Sequence, residues 1–251
     1  DLVYNMCAND ACTSTTTTFL DTANNVGYDP AIAKSTVDGF ARIVYHYGTT
    51  PGLKFIKCTN ASCSTKTTTT IDSSAAINRN MSIALDASDN AYVSYYDETN
   101  ANLKYIQCTN ATCSTRNTTV IDSTGNVGKY TSVALGADGF ARISYYDTTN
   151  SDVKFVRCTD AACSTNVITV VDATASGYTS LAMASDGFAR ISYSGASGHL
   201  YFAQCTNDDC STKNTTVVES ANCADNTSLE LGTDGLARIS YTSGGTTIKF
   251  A

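Results

Sequence analysis

The sequence predicts an all-β fold, a single five-bladed β-propeller with four-stranded blades, and three observations carry that prediction. A C-x4-C pair recurs five times, with its first cysteine at 7, 58, 108, 158 and 205. A second landmark keeps step with it: Asp-Gly-Phe-Ala-Arg-Ile at 38–43, a degraded copy Asp-Asn-Ala-Tyr-Val at 89–93, then 138–143, 186–191 and Asp-Gly-Leu-Ala-Arg-Ile at 234–239. Each period of 47 to 51 residues holds four strand-like segments. That is the size of one propeller blade, whereas a β-sandwich module needs roughly 100 residues.

The third unit shows the segments most clearly. Strand A runs over Thr131–Leu135, strand B over Ala141–Asp147, strand C over Val153–Cys158 and strand D over Val167–Asp172. Asp138-Gly139 supplies the A–B hairpin turn. A polar stretch at 148–152 joins B to C, and the cysteine pair closes the C–D end. Strand B sequences such as Ile-Ser-Tyr-Tyr lack a polar face, as expected of sheets covered on both sides by neighbouring blades. Strand D ends on an acid in every unit: Asp21, Asp72, Asp122, Asp172 and Glu219.

The repeat is out of phase with the chain. Residues 1–6 align with a C strand and 15–20 with a D strand. Complete blades follow at 30–72, 80–122, 130–172 and 179–219, and residues 227–251 end the chain with A, B and a short C. We therefore expect a composite closing blade, 1–21 plus 227–251, assembled from both termini. Position C of that blade has two claimants, Leu2–Met6 and Thr247–Ala251. A strand without a place can complete a second copy, and a head-to-tail contact that does not close builds a filament.

Cysteine usage points to the compartment. Five local disulfides are expected, Cys7–Cys12, Cys58–Cys63, Cys108–Cys113, Cys158–Cys163 and Cys205–Cys210, with Cys223 left over. Zinc would need ligands converging from close pairs, and the pairs here lie about one blade apart with only two histidines in the chain. Disulfides belong to oxidising compartments, so the expected location is extracellular or the cell surface. The chain opens on Asp1, which we read as the start of a processed, mature form.

These repeats resemble the five- and six-bladed propellers of secreted bacterial repeat proteins. The resemblance rests on Ser-Tyr-Tyr-Asp at 94–97 and 144–147, followed by Leu-Lys-Tyr-Ile-Gln-Cys at 103–108 or Val-Lys-Phe-Val-Arg-Cys at 153–158. It covers the whole chain and implies architecture rather than chemistry. Blade count and repeat length also resemble the tachylectin-2-like sugar-binding propellers, although the Trp-rich motifs of that family are absent and the chain has no Trp.

Composition narrows the partners. The net charge of −7 disfavours nucleic acid and anionic membranes, which attract basic patches. No apolar run approaches the ~20 residues of a membrane span. The acids and arginines mostly occupy repeat positions, so no catalytic constellation, metal centre or cofactor is expected. An enzyme would have to draw on irregular loops such as 78–80 or 195–199. Arg42, Arg142, Arg190 and Arg238 are expected to pair with D-strand acids. Asp97, Asn100 and Asn102, with Asp147, Asn150 and Asp152, form oxygen-rich B–C loops that read as polar turns, with weak likeness to calcium loops. Tyr28, Tyr130 and Tyr178 precede strand A beside Asn and Gly, where they could pack between blades or stack on a glycan. Asn60, Asn80, Asn110, Asn117, Asn214 and Asn226 stand in N-glycosylation sequons.

Two functions follow. The first is a structural or adhesive extracellular protein, a homopolymer joined through its terminal strands. The second is a lectin-like propeller binding glycans at repeated sites.

Overall fold

The structure is a computed structural model that describes residues 1–251 apart from 24–25, 49–51, 74–76, 221–222 and 244–246, with the side chains of 77–79 and 223–225 also outside the description. It is a five-bladed β-propeller. A two-stranded hairpin, β1 (Leu2–Cys7) and β2 (Thr15–Asp21), opens the chain. Four antiparallel four-stranded blades follow. The first is β3 (Val26–Lys34), β4 (Ala41–Tyr47), β5 (Gly52–Cys58) and β6 (Lys66–Asp72). The second is β7 (Ile77–Leu85), β8 (Ala91–Asp97), β9 (Asn102–Cys108) and β10 (Arg116–Asp122). The third is β11 (Val127–Leu135), β12 (Ala141–Asp147), β13 (Asp152–Cys158) and β14 (Asn166–Asp172). The fourth is β15 (Gly177–Met183), β16 (Ala189–Ser194), β17 (Leu200–Cys205) and β18 (Lys213–Glu219). A three-stranded sheet ends the chain: β19 (Cys223–Leu231), β20 (Ala237–Ser243) and β21 (Thr247–Phe250).

The core lies in the seams between blades. In one seam Val44, Leu53, Phe55 and Ile71 of the first blade pack on Met81, Ile83, Val93 and Tyr95 of the second, and bury the Cys108–Cys113 disulfide beneath them. The next seam repeats this with Leu103, Tyr105 and Ile121 against Val133, Ile143 and Tyr145. Five disulfides form, each between cysteines five residues apart with Cα atoms separated by 4.7–4.8 Å. The second cysteine of each pair sits at φ 50–56°, and its N–H closes a tight turn onto the residue three before it. Cys223 lies outside the described side chains.

One polar device recurs at every seam. The tyrosine of strand B donates its hydroxyl to the D-strand acid of the preceding unit: Tyr45 to Asp21 at 2.7 Å, Tyr95 to Asp72 at 2.5 Å, Tyr145 to Asp122 at 2.6 Å, Tyr193 to Asp172 at 3.0 Å and Tyr241 to Glu219 at 3.4 Å. A strand-C lysine joins it in four of the five: Lys54, Lys104, Lys154 and Lys249. Burial, then the neighbouring carboxylate, pushes the Tyr45, Tyr95 and Tyr145 phenols far above their usual range. These hydroxyls stay protonated and keep donating.

The arginines depart from expectation. Among the described residues they make no bond to the D-strand acids, which a strand-B tyrosine and, in four units, a strand-C lysine already occupy. Each turns back to the aspartate of its own A–B turn, four residues earlier: Asp38, Asp138, Asp186 and Asp234. Arg42 also reaches Asp89 of the next blade, and Arg142 reaches Asp208 at 2.8 Å. Tyr92, which stands in the arginine's place, contacts its turn acid Asp86 at 3.3 Å.

The closing blade also departs from expectation. It was expected to combine strands 1–21 and 227–251 in one sheet. Both ends reach their places, because Tyr45 binds Asp21 and Tyr241 binds Glu219 as in the other seams. Among the described residues they do not share a sheet: β20 pairs with β19 and β21, and β1 pairs with β2. The contest for position C goes to Thr247–Phe250. The reason is local, since β21 follows β20 within a few residues and Ser243 pairs with Thr247. Pairing β1 with β20 requires closing a loop of almost the whole chain, at greater entropic cost.

Candidate functional site

Two places depart from the repeat. The first is the propeller axis. Strand A extends upstream of its expected start in a bulged register, with shifts between Val127 and Lys129 and between Lys129 and Ser132 in the third blade. The bulge requires a close backbone approach. Gly128 sits at φ +107°, and a Cβ there would lie 2.7 Å from Leu103 Cα, so only glycine fits. Nearby, two residues past the glycine in the first and third blades and directly after it in the fourth, one residue per blade adopts left-handed backbone: Asp29 (φ 42°), Asn80 (68°), Tyr130 (54°), Tyr178 (39°) and Asn226 (59°).

All five line a central cavity of about 390 Å³, together with Tyr96, Glu98, Asn126 and Lys129. The Tyr130 and Tyr178 rings meet at the cavity wall, centroids 4.0 Å apart and tilted 34°. Tyr130 N–H donates to Asn80 Oδ1 at 3.2 Å, and Thr179 Oγ1 donates to Tyr130 O at 2.8 Å, tying three blades together. Tyr96 donates to Asn126 Oδ1 at 2.9 Å, and the Lys129 ammonium lies 5.6 Å from the Tyr96 ring centre.

Of the three tyrosines singled out in the sequence, the structure therefore brings two together. Tyr28 is displaced by one position. Gly27 matches Gly128, so Asp29 rather than Tyr28 aligns with Tyr130, and Tyr28 stands beside His46 with ring centres 6.3 Å apart. Sequence reasoning missed Asp29, Glu98 and Lys129. The glycine two residues before the left-handed position was the available signal for Asp29.

The remaining candidates are accounted for locally. Asp147 is fully buried and accepts from Thr149 N, Asn150 N, Asn150 Nδ2 and, at 2.7 Å, the Lys154 ammonium. Asp97 is held alike by Asn100 and Lys104. A lysine thus stands where a cation would bind. Burial pulls Asp147 upward, but Lys154 and Asn150 outweigh it and hold its carboxyl below the usual range. Asp152, lacking such partners, is raised by burial and by Asp147. Among the sequons, Asn117, Asn214 and Asn226 are exposed, while Asn60, Asn80 and Asn110 are half-buried. The Asn60 and Asn110 amides donate to Ser64 and Ser114 within their disulfide loops. Of the loops considered for catalysis, 195–199 forms a tight turn with His199 stacked beside Tyr201 at 6.3 Å, and the side chains of 78–79 lie outside the description.

The second departure is the seam between the last sheet and the first blade. Strand A residues Ile83, Val133, Leu181 and Leu229 are 4–9% exposed, but their counterpart Ile32 is 59% exposed. Across three of the four intact seams a serine hydroxyl accepts the backbone N–H of the next strand A: Ser82 from Val133, Ser132 from Leu181 and Ser180 from Leu229, Ala31 holding the serine's place in the first blade. Ser228 and Ile32, the corresponding pair, make no such bond among the described residues. Ser94, Ser144 and Ser192 of strand B are fully buried, while Ser240 is exposed. Ile248 and Phe250, matching the buried Leu103 and Tyr105, stand 80% and 71% exposed. Cys7 and Cys12 are exposed where the other four disulfides are buried. Beside Ile32, an apolar groove of about 150 Å³ runs between the hairpin and the first blade, lined by Leu2, Tyr4, Leu20, Pro30 and Ile43.

No family model and no curated protein matches the sequence. Solved structures do match the fold. One is a protein of unknown function from Dyadobacter fermentans, 10% identical, TM-score 0.61, over 88% of this chain and 74% of that one. Another is the SapL1 lectin in complex with alpha methyl fucoside, 14% identical, TM-score 0.61, over 90% of this chain and 77% of that one. A third is an alpha-L-arabinofuranosidase from Lactobacillus brevis, 12% identical, TM-score 0.51, over 86% and 83%. At these identities the likeness extends to the propeller fold and no further.

Proposed function

We propose that the chain is an extracellular building block that assembles head to tail, the open seam of one copy being completed by the next. The exposure of Ile32 carries this reading. Four times in the same chain, that strand-A position is covered by the A and B strands of the preceding blade. The matching A and B strands before Ile32 are β19 and β20, which lie at the other end of the chain with Ser228 and Ser240 exposed. In the assembly, β19 and β20 of one copy cover the groove beside Ile32 of the next. The β1–β2 hairpin of that next copy, stiffened by Cys7–Cys12, takes the edge of β20 in place of β21. Five disulfides suit an oxidising location outside the cytoplasm, and no helix among the described residues is long and apolar enough to cross a membrane.

Electron microscopy and sedimentation of the full chain, wild type and Ile32→Asp, test the proposal. Wild-type chain should form ordered polymers, and the variant should remain a folded single copy, because the aspartate would be buried only at the interface. A wild-type chain that stays monomeric at high concentration overturns the reading. So does a variant that loses thermal stability as an isolated monomer, which would mean that the seam closes within one chain.

A further inference from the structure

The five left-handed positions at the axis do not carry equivalent residues. Asp and Asn tolerate this backbone, and three of the blades use them, at Asp29, Asn80 and Asn226. Tyrosine is disfavoured there, since a bulky side chain in left-handed backbone is strained. The third and fourth blades nevertheless place Tyr130 and Tyr178 at these positions, adjacent and with their rings in contact. Neither ring fills a seam core, and both remain half-exposed at the cavity wall. The bulge itself is satisfied by Asn in other blades, so the fold does not require an aromatic residue at either place.

The rest of the lining narrows what such a face would hold. The volume of about 390 Å³ falls within the roughly 300–1,000 Å³ typical of small-molecule sites. Asp29 and Glu98 oppose an anion. The Lys129 ammonium, already over the Tyr96 ring, opposes a second cation. Amides and carboxylates make the wall polar, which suits a ligand that can hydrogen-bond over one that cannot. A neutral polyol with one apolar face meets every condition. Its C–H groups would lie on the aromatic pair, and its hydroxyls would exchange hydrogen bonds with Asn80, with the Asn126 amide, whose Oδ1 is engaged by Tyr96, and with Glu98.

We propose that the axial cavity binds one neutral saccharide ring per chain, on the face formed by Tyr130 and Tyr178. There is a single such site, because among the five left-handed axial positions only those of the third and fourth blades carry tyrosine.

The test uses the full chain and the double variant Tyr130→Asn/Tyr178→Asn. Asparagine suits the backbone, so the variant should unfold at the same temperature as wild type or higher. The probes are the methyl α- and β-glycosides of glucose, galactose, mannose and N-acetylglucosamine, with choline as a cationic control. With 15 Tyr and no Trp in the chain, intrinsic tyrosine fluorescence and tyrosine ring NMR report on the site. At least one glycoside should bind saturably with an affinity on the order of 1 mM or tighter, and the variant should lose about tenfold or more of it. The proposal is overturned if no glycoside gives a saturable response, if the variant binds as well as wild type, or if choline binds in preference. A lowered unfolding temperature in the variant also overturns it, because the tyrosines would then be structural.

Discussion

Replacing Tyr145 by Phe removes one hydroxyl from a seam and nothing else. That hydroxyl is fully buried and donates to Asp122 at 2.6 Å, with the Lys154 ammonium 3.4 Å from the same oxygen. Hydrogen bonds to charged groups contribute roughly 1.5–3 kcal/mol, and burial places this one in the upper half of that range. The loss should be about 2–3 kcal/mol, which for a chain of this size lowers the unfolding temperature by roughly 4–12 °C. Tyr241→Phe is the internal control. It removes the same hydroxyl from the last seam, where Glu219 lies at 3.4 Å and its side chain is 28% exposed, so water replaces the lost partner. That change should cost about 0.5 kcal/mol. Thermal and guanidinium unfolding under non-reducing conditions measure both. Equal losses, or a larger loss at Tyr241, would refute the argument that burial sets the strength of the seam bond.

Three further outcomes follow from the same structure. Asp21, Asp38 and Asp147 are each drawn upward by burial but held below the usual carboxylate range by hydrogen bonds from Tyr45, Arg42 and Lys154 respectively. Depressed carboxyls stabilise the fold above their unfolded value near pH 4 and lose that contribution as pH falls, so the guanidinium midpoint should be flat from neutral to about pH 5 and drop below about pH 4. Gly128→Ala should destabilise by about 2–4 kcal/mol, because its Cβ would meet the Leu103 backbone, whereas Gly139→Ala, at φ +78° with open space around it, should cost only about 1 kcal/mol in the same unfolding assay. Brief mild reduction with alkylation, followed by peptide mapping, should label the exposed Cys7 and Cys12 well before Cys58, Cys63, Cys108 and Cys113, and labelling in any other order would contradict the burial pattern.

What could be read from the sequence was what is local. The cysteine pairs close six-residue loops, and the Asp-Gly turns join adjacent strands, so period, strand order and disulfides followed from spacing alone. The partners of the D-strand acids did not follow. Asp122 meets Tyr145 and Lys154 across a seam, and which side chains face each other there depends on how two blades are staggered. At the axis, a one-residue offset defeated the alignment. The bulge places its special residue two beyond Gly27 or Gly128, whereas in the fourth blade Tyr178 directly follows Gly177. Matching by the tyrosine letter therefore selected Tyr28 and passed over Asp29. The two claimants for position C were visible, but their order was not, since it rests on a short local connection against the closure of a long one.

The seam bond also has a direction. An acid always comes from the earlier unit, and a tyrosine always from the later one. All five of these bonds close within one chain, so the polarity that matters between copies lies in the open gap: β19 and β20 on one side, Ile32 and its apolar groove on the other. Two identical sides do not complement each other there. Any assembly through that gap is a vector: one end presents β19 and β20 uncovered, and the other presents the groove beside Ile32. The two ends of such a fibre are chemically different objects, with separate rates of growth and separate means of being capped.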